Sequence, residues 1–288
     1  MEQVITVNNV NKLYKGFQLD DVSFSINKGF ITGFIGPNGS GKTTMIKLLM
    51  NLIKYDTGDI QVFGMDHIKH SQEIKERIGF VYAENHYYEH LTIADIKRAI
   101  APFYKNWDEE AFQRNINHFR LPLKKKLKQF STGMKMKLSI AVALSHHADL
   151  IIMDEPTSGL DPVVRREILQ LLTEIMQDED KTIFFSTHIT TDLEQIADYI
   201  TFINNGKIIF NKEKDEVFED YQIVKGSNKY LTENIRQLAI GIKETDVGFE
   251  ALTNDKKSMN ALLGPNVMFE RATLDDIMFY TNRSVQYV

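Results

Sequence analysis

The chain has 288 residues, 43% of them hydrophobic, which is enough for a packed core in one large domain or two modest ones. A formal net charge of −5 argues against sequence-independent nucleic-acid binding, and the absence of cysteine excludes disulfides, thiolate zinc sites and cysteine nucleophiles and suits a reducing compartment. The N-terminus, MEQVITVNNVNKLYK, lacks the basic-then-apolar layout of a secretion signal, and the longest apolar runs fall far short of the roughly 20 residues that cross a bilayer, so any membrane work needs spans from another polypeptide.

Residues 17–29 (FQLDDVSFSINKG) set Val22, Phe24 and Ile26 against Ser23, Ser25 and Asn27, a half-buried strand that ends in a turn at Gly29. Residues 30–36 (FITGFIG) are a short apolar run entering a glycine-rich loop. Residues 43–53 (TTMIKLLMNLI) then place Met45, Ile46, Leu49, Met50 and Ile53 on one helical stripe. The stretch from about 86 to 147 reads as mostly helical. Leu150-Ile151-Ile152-Met153 is a strand covered on both faces, residues 163–176 an amphipathic helix, residues 182–188 (TIFFSTH) a second buried strand, and residues 199–210 a hairpin around Asn204-Asn205-Gly206. Strands alternating with helices predict an α/β fold with a parallel core sheet. From about Asp215 the signals weaken, and residues 215–288 read as a small accessory α/β segment after a main domain of residues 1–214. No repeat at solenoid periods and no low-complexity tract interrupts the chain.

Gly36-Pro37-Asn38-Gly39-Ser40-Gly41-Lys42-Thr43, with Thr44 following, fits GxxxxGK[ST] between a predicted strand and a predicted helix. The glycines let backbone N–H groups turn inward around phosphates, Lys42 reaches the β- and γ-phosphates, Thr43 can hold Mg²⁺, and the helix N-terminus adds a favourable dipole. Downstream, a buried strand ends in Asp154 and Glu155. Asp154 suits a Mg²⁺-bound water and Glu155 suits polarising an attacking water. Taken alone, that pair is also compatible with an ordinary acidic strand end; the upstream phosphate loop favours the metal reading. The fold expectation is therefore a P-loop NTPase.

Four further segments carry a resemblance to the ATPase subunits of ABC transporters, extending over roughly residues 1–215. FSTGM (130–134) stands where the family has LSGGQ, about twenty residues before Asp154. Ser158-Gly159-Leu160-Asp161 resembles the D-loop, His188 the switch histidine, and Tyr14 the aromatic residue that stacks on adenine. The resemblance implies an antiparallel β subdomain, a helical subdomain over about 86–147, and two domains meeting head to tail around two ATP molecules. In that arrangement Ser131 and Gly133 of one subunit face the γ-phosphate held by the other, Glu155 orients water as general base, and His188 contacts the γ-phosphate and Glu155. Ser131 precedes a predicted helix and Gly133 is expected to leave backbone exposed; a plain N-cap at Ser131 uses the same geometry. For Tyr14 the bland alternative is a core tyrosine, and for a lone His188 a structural role.

Two segments depart from the family. The signature carries Phe130, Thr132 and Met134 for Leu, Gly and Gln. In GFVYAENHYYEHLT (79–92), Ala83 falls where the family keeps a metal-contacting Gln; either Glu84 takes over that Mg²⁺ contact, the favoured reading, or the contact is missing. Tyr82, His86, Tyr87, Tyr88 and His90 make this loop aromatic, as suits an interface with a membrane partner; burial in the domain's own core is the alternative. Lys124, Lys125, Lys126 and Lys128 read as a solvated helix face, with anionic headgroups as the second reading.

The resemblance implies a Mg²⁺-dependent ATPase at the cytoplasmic face of the membrane, bound to a separate transmembrane permease subunit and paired with itself or a second ATPase. The runner-up is a soluble ABC ATPase of translation or DNA repair, although this chain has neither a tandem domain nor a long heptad run. A GTPase or small-molecule kinase should lack FSTGM, and there is no Asn-Lys-x-Asp guanine motif. The SxGM-type signature and the acidic C-terminal extension look like bacterial exporters of drugs, lipids or peptides, similar to the group that includes the staphylococcal phenol-soluble-modulin exporter and antibiotic-inducible transporters of low-GC Gram-positives.

Overall fold

The computed structural model describes residues 1–82 and 87–283. In chain order, a long hairpin of β1 (Gln3–Tyr14) and β2 (Phe17–Asn27) leads into β3 (Ile31–Ile35), the glycine-rich loop and α1 (Lys42–Leu49). Then come β4 (Thr57–Val62), β5 (Met65–Asp66), α2 (Ser71–Glu76) and β6 (Ile78–Val81). Helices α3 (Ile93–Ile100), α4 (Glu109–His118) and α5 (Thr132–Leu144) precede β7 (Leu150–Asp154), α6 (Pro162–Ile175), β8 (Thr182–Thr187), α7 (Thr190–Ile196), β9 (Tyr199–Asn204) and β10 (Lys207–Glu213). The remainder holds α8 (Lys214–Asp220), β11 (Gln222–Gly226), α9 (Glu233–Leu238), β12 (Gly241–Thr245), β13 (Gly248–Thr253), α10 (Lys256–Leu263), β14 (Met268–Arg271) and α11 (Leu274–Arg283). These elements fall into two compact units, residues 1–211 and 212–288.

The first unit contains two sheets. One is antiparallel, in the order β2-β1-β4-β5; the other runs β10-β9-β3-β8-β7-β6, with β9, β3, β8, β7 and β6 parallel. Strand β3 is buried at every residue and β8 likewise, as parallel strands covered on both faces must be. Phe24 of β2, Phe34 of β3 and Phe184 of β8 stack with centroid separations of 5.4 to 6.2 Å and pin the antiparallel sheet to the core sheet. Because β3, β8 and β7 are adjacent and parallel, their carboxyl ends open side by side, and that edge is where an open α/β sheet binds ligands.

Two elements differ from the sequence expectation. Helix α1 ends at Leu49 rather than near Ile53, because Asn51 takes φ +49°, the left-handed conformation that stops a helix. Lys124, Lys125, Lys126 and Lys128 are exposed, but on a turn and a short 3-10 segment (Leu127–Gln129), not on a helix face.

The second unit runs β11-α9-β12-β13-α10-β14 with sheet order β12-β13-β11-β14, every neighbouring pair antiparallel. This is the split β-α-β sandwich. Val224, Phe249 and Ala251 on one sheet face pack with Ile235, Met259 and Leu263 from its helices.

Candidate functional site

Where β3 ends, the chain has no room for a side chain at residue 36. A Cβ on Gly36 would lie 2.3 Å from the Ile203 carbonyl oxygen. Gly39 and Gly41 take φ of +82° and +113°, which curl the loop into α1. The first turn of α1 has no side-chain cap, so its N–H groups face outward as an anion site needs. Within the loop the Ser40 hydroxyl is buried without a hydrogen-bond partner among the described residues. The loop is braced from outside by the β9–β10 turn, where the Gly206 N–H donates to the Ser40 carbonyl at 2.9 Å. Pro37 is half-buried, Asn38 exposed, Thr43 exposed and Thr44 half-buried.

Lys42 is 6% exposed; its Nζ donates to the Gly36 carbonyl at 2.7 Å and lies 3.5 Å from Glu155 Oε1. Burial pulls the Lys42 pKa down, and the Glu155 and Asp154 carboxylates oppose that pull. The ammonium is thus already turned into the space between the loop and the end of β7.

At the end of β7, Asp154 Oδ1 accepts from the Ser186 hydroxyl at 2.5 Å, and the Glu155 N–H donates back to Ser186 Oγ at 3.1 Å. Glu155 has φ +51°, a left-handed conformation that non-glycine residues adopt at a cost and that clusters at functional sites. It turns the carboxylate back over the strand ends: Oε1 faces Lys42, and Oε2 accepts from His188 Nδ1 at 2.8 Å and from the His188 N–H at 3.3 Å. A carboxylate only accepts, so Nδ1 carries the imidazole proton and Nε2 is left to face a ligand. Lys42, Asp154, Glu155 and His188 therefore converge from three adjacent strand ends. Ser186 belongs with them. Nothing in the sequence singles it out, because β8 (TIFFST) carries two threonines besides Ser186.

Asp154, the Thr43 hydroxyl and water are the hard oxygen donors that Mg²⁺ prefers, and the ion needs only one or two carboxylates beside phosphate oxygens. Among the described residues no group of three or more His, Asp or Glu side chains gathers as a metal cluster. Glu84, the expected further ligand, lies outside the described residues with Ala83 and His86.

Ser131, Gly133 and Asp161 are not in that cluster. Ser131 caps α5, accepting from the Met134 N–H at 3.2 Å, and is exposed beside exposed Thr132. Gly133 is buried, contrary to the expectation of exposed backbone: a Cβ there would lie 2.3 Å from Val164 Cγ1, so the glycine makes room for α6. Asp161 caps α6 through the Val163 and Val164 N–H groups. Tyr14 is 41% exposed, in an open groove formed with Leu13, Gly16, Phe17, Gln18 and Asn205; Phe17 also packs beside Gly41. In the aromatic loop Tyr88 is 73% exposed and Tyr87 half-buried.

Residues 19–158 match the family model described as ABC transporter. The chain is 35% identical over 236 residues to the bacitracin transport ATP-binding protein BcrA of Bacillus licheniformis, a match covering 80% of this chain and 74% of that protein. It is 35% identical over 215 residues to the lantibiotic transport ATP-binding protein SrtF of Streptococcus pyogenes, covering 74% of this chain and 92% of that protein. Among solved structures, cbiO1 of Clostridium perfringens, part of the ABC transporter complex cbiONQ, superposes with a TM-score of 0.67 at 25% identity, over 83% of this chain and 95% of its own.

Proposed function

The chain belongs to the ATP-binding subunits of ABC transporters and hydrolyses ATP in transport, and from that premise we propose that two such subunits close head to tail around two ATP molecules to drive a separate transmembrane permease. The second subunit is another copy or a sister ATPase, and the pair sits at the cytoplasmic face of the membrane. The observation that carries the catalytic reading is Glu155 held between Lys42 and His188, with Oε1 and Oε2 each committed to one partner.

The loop Gly36–Thr44 wraps the phosphates with its N–H groups, and Lys42 moves its ammonium from the Gly36 carbonyl onto the β- and γ-phosphate oxygens. Tyr14 stacks on adenine across its open groove. Asp154 and Thr43 would hold Mg²⁺, with Glu84 as a further ligand, and the ion would supply positive charge that offsets the phosphates. Glu155 takes a proton from the attacking water, and His188, oriented through Nδ1, presents Nε2 to the γ-phosphate. The exposed start of α5, with Ser131 and Thr132, supplies N–H groups to the ATP of the opposite subunit, and Asp161 lies at the same interface. No covalent intermediate is needed, because phosphoryl transfer is chiefly positioning and charge stabilisation.

The relatives named above are transport proteins for bacitracin and a lantibiotic, which supports transport over a soluble role in translation or repair and supports peptide antibiotics or similar amphiphilic peptides as the exported class. The narrower likeness to modulin exporters rests on sequence alone. The exposed Tyr82, Tyr88 and Phe103 suit the permease contact.

The test is Glu155→Gln in the purified full-length chain. Hydrolysis should fall on the order of 10²-fold or more while ATP binding persists and an ATP-dependent dimer accumulates on size exclusion. Normal hydrolysis would remove Glu155 from its role; failure to dimerise with ATP would remove the two-subunit sandwich. Glu84→Ala with unchanged Mg²⁺-dependent activity would remove Glu84 from the metal.

A further inference from the structure

Asp192, four residues beyond His188 on α7, is a carboxylate with no exposed surface. Burying a carboxylate is unfavourable unless its lone pairs are met by a cation and donors. Here each oxygen has its own partner from a different segment. Oδ1 accepts from Arg165 Nε at 2.5 Å, and Oδ2 accepts from the Thr157 hydroxyl at 2.5 Å. Arg165 also donates through Nη2 to the Thr191 hydroxyl at 2.6 Å, so the guanidinium grips α7 at two consecutive residues.

Two of the three segments so tied adjoin hydrolytic groups, Glu155 and His188, and the third begins at the cap residue Asp161. Thr157 lies two residues past Glu155, in a turn closed by the Ser158 N–H donating to the Glu155 carbonyl at 3.2 Å. Arg165 lies in the first turns of α6, its N–H donating to the carbonyl of the cap residue Asp161 at 2.9 Å. Helix α7 begins two residues after His188. A single buried charge therefore joins the turn that carries Glu155, the cap that carries Asp161 and the helix that follows His188.

We propose that Asp192 is a positioning residue for ATP hydrolysis, which sets the Glu155–His188 pair by fixing Thr157 and Arg165 against α7. The proposal rests on the catalytic reading of Glu155 and His188 given above. Asp192 itself touches neither nucleotide nor reacting water. It acts by holding left-handed Glu155 in register with His188, a geometry in which small displacements are expensive in rate. Lys42 and the phosphate loop stand outside the network, so ATP binding should be indifferent to it.

The test is steady-state ATP hydrolysis by the purified full-length chain carrying Asp192→Asn, which keeps the shape and removes the charge that Arg165 meets. The expected result is kcat lower on the order of tenfold or more, with KM for ATP and equilibrium ATP binding within about twofold of wild type, the signature of a loss felt only in the transition state. A merely structural role would instead lower the melting temperature and the active fraction while leaving kcat per active site unchanged, and that result overturns the proposal. Should Asp192→Asn fail to fold, Thr157 decides. Thr157→Val fills the same space without a donor and should lower kcat; Thr157→Ser restores the hydroxyl and should restore kcat. Equal rates for Val and Ser overturn the proposal. Glu155→Gln, run alongside, keeps the two readings apart: if it hydrolyses normally the catalytic reading fails, whereas its loss combined with unchanged Asp192→Asn and Thr157→Val rates removes only the positioning role.

Discussion

His188 Nδ1 donates to Glu155 Oε2 at 2.8 Å, so the histidine that follows β8 is oriented by the carboxylate that follows β7. The two residues are 33 positions apart in sequence and meet because β7 and β8 are parallel neighbours with Asp154 opposite Ser186. The pair predicts that His188→Ala lowers kcat for ATP on the order of 10²-fold or more, since a positioned acid–base or γ-phosphate contact of this kind contributes about 10²–10⁴-fold. Affinity for ATP should change little, because in the proposed site Lys42 and the loop hold the phosphates. Steady-state kinetics beside nucleotide titration measures both, and a proportional rise in KM at constant kcat would contradict it.

The core sheet and the phosphate loop were legible in the sequence because their signals are local: continuous apolar strands, a glycine loop and an amphipathic helix follow one another directly. Strand β1 was not. Asn9 takes φ +48° and the pairing with β2 shifts register on either side of Val10, so the bulges break the alternation that would mark a strand. The β-α-β-β-α-β order of residues 222–271 was hidden for another reason. Its strands are four to six residues long, and one sheet face mixes buried Ile223 and Leu252 with charges, Lys225 bridging Glu250 and Glu270. At the site, residue types announced Lys42, Asp154 and Glu155, whereas Ser186, Thr157, Arg165 and Asp192 emerge only through long-range pairing. The reason for Gly133 was also invisible, because Val164, the atom group it makes room for, lies on another helix.

Lys42→Ala should separate binding from folding. The ammonium donates to the Gly36 carbonyl and sits beside Glu155, but its burial already depresses its pKa, so removing it relieves a desolvated charge as well as deleting contacts. The melting temperature without nucleotide should therefore stay within a few degrees of wild type. The stabilisation by ATP, which is about 2.7 kcal/mol when ligand stands at about 100 times Kd, should be largely lost. Thermal shift with and without MgATP reads both. A full ATP-induced shift in Lys42→Ala would mean the phosphates are held elsewhere.

Gly206→Ala should damage the phosphate loop from outside it. Residue 206 has φ +75°, and a Cβ there would fall 1.8 Å from the Gln18 carbonyl oxygen, a clash with backbone that no rotamer relieves. The turn would have to withdraw and take with it the Gly206 N–H that donates to Ser40. A loss on the order of 2–4 kcal/mol is expected from strain and overpacking together, read from the urea midpoint, with weaker ATP binding in the molecules that remain folded.

Two histidines make the fold acid-sensitive. His67 stacks on Tyr55 and is 2% exposed; His146 stacks on Tyr104, is 1% exposed and faces the Ile78 and Val142 carbonyls. Burial lowers the pKa of both below the ordinary 6.5. Between each depressed native value and 6.5 the unfolded chain binds more protons than the folded one, so stability is full above about pH 6.5 and falls as pH drops below it, by no more than about 1.4 kcal/mol per pH unit for each residue. Urea midpoints taken from pH 7.5 down to 5.5 should decline, and His146→Gln should flatten that decline even if it lowers the midpoint at pH 7.5. An unchanged slope in the variant would show that His146 is not one of the responsible groups.

Ser131→Ala asks whether the start of α5 is only a helix cap. The hydroxyl accepts from the Met134 N–H, and losing such a cap costs about 1 kcal/mol of stability. If capping were its whole role, hydrolysis per folded molecule would stay at the wild-type rate, because α5 is tied down along its length by buried Met136, Leu138, Ile140 and Val142. In the two-subunit arrangement the same hydroxyl and the N–H groups behind it meet the γ-phosphate held by the opposite chain. Hydrolysis should then fall on the order of tenfold or more, beyond what 1 kcal/mol of folding stability explains, and the ATP-dependent dimer formed by Glu155→Gln should weaken in the double variant. The two readings differ most at low protein concentration, where a contact made across subunits is lost by dissociation and a cap within one chain is not.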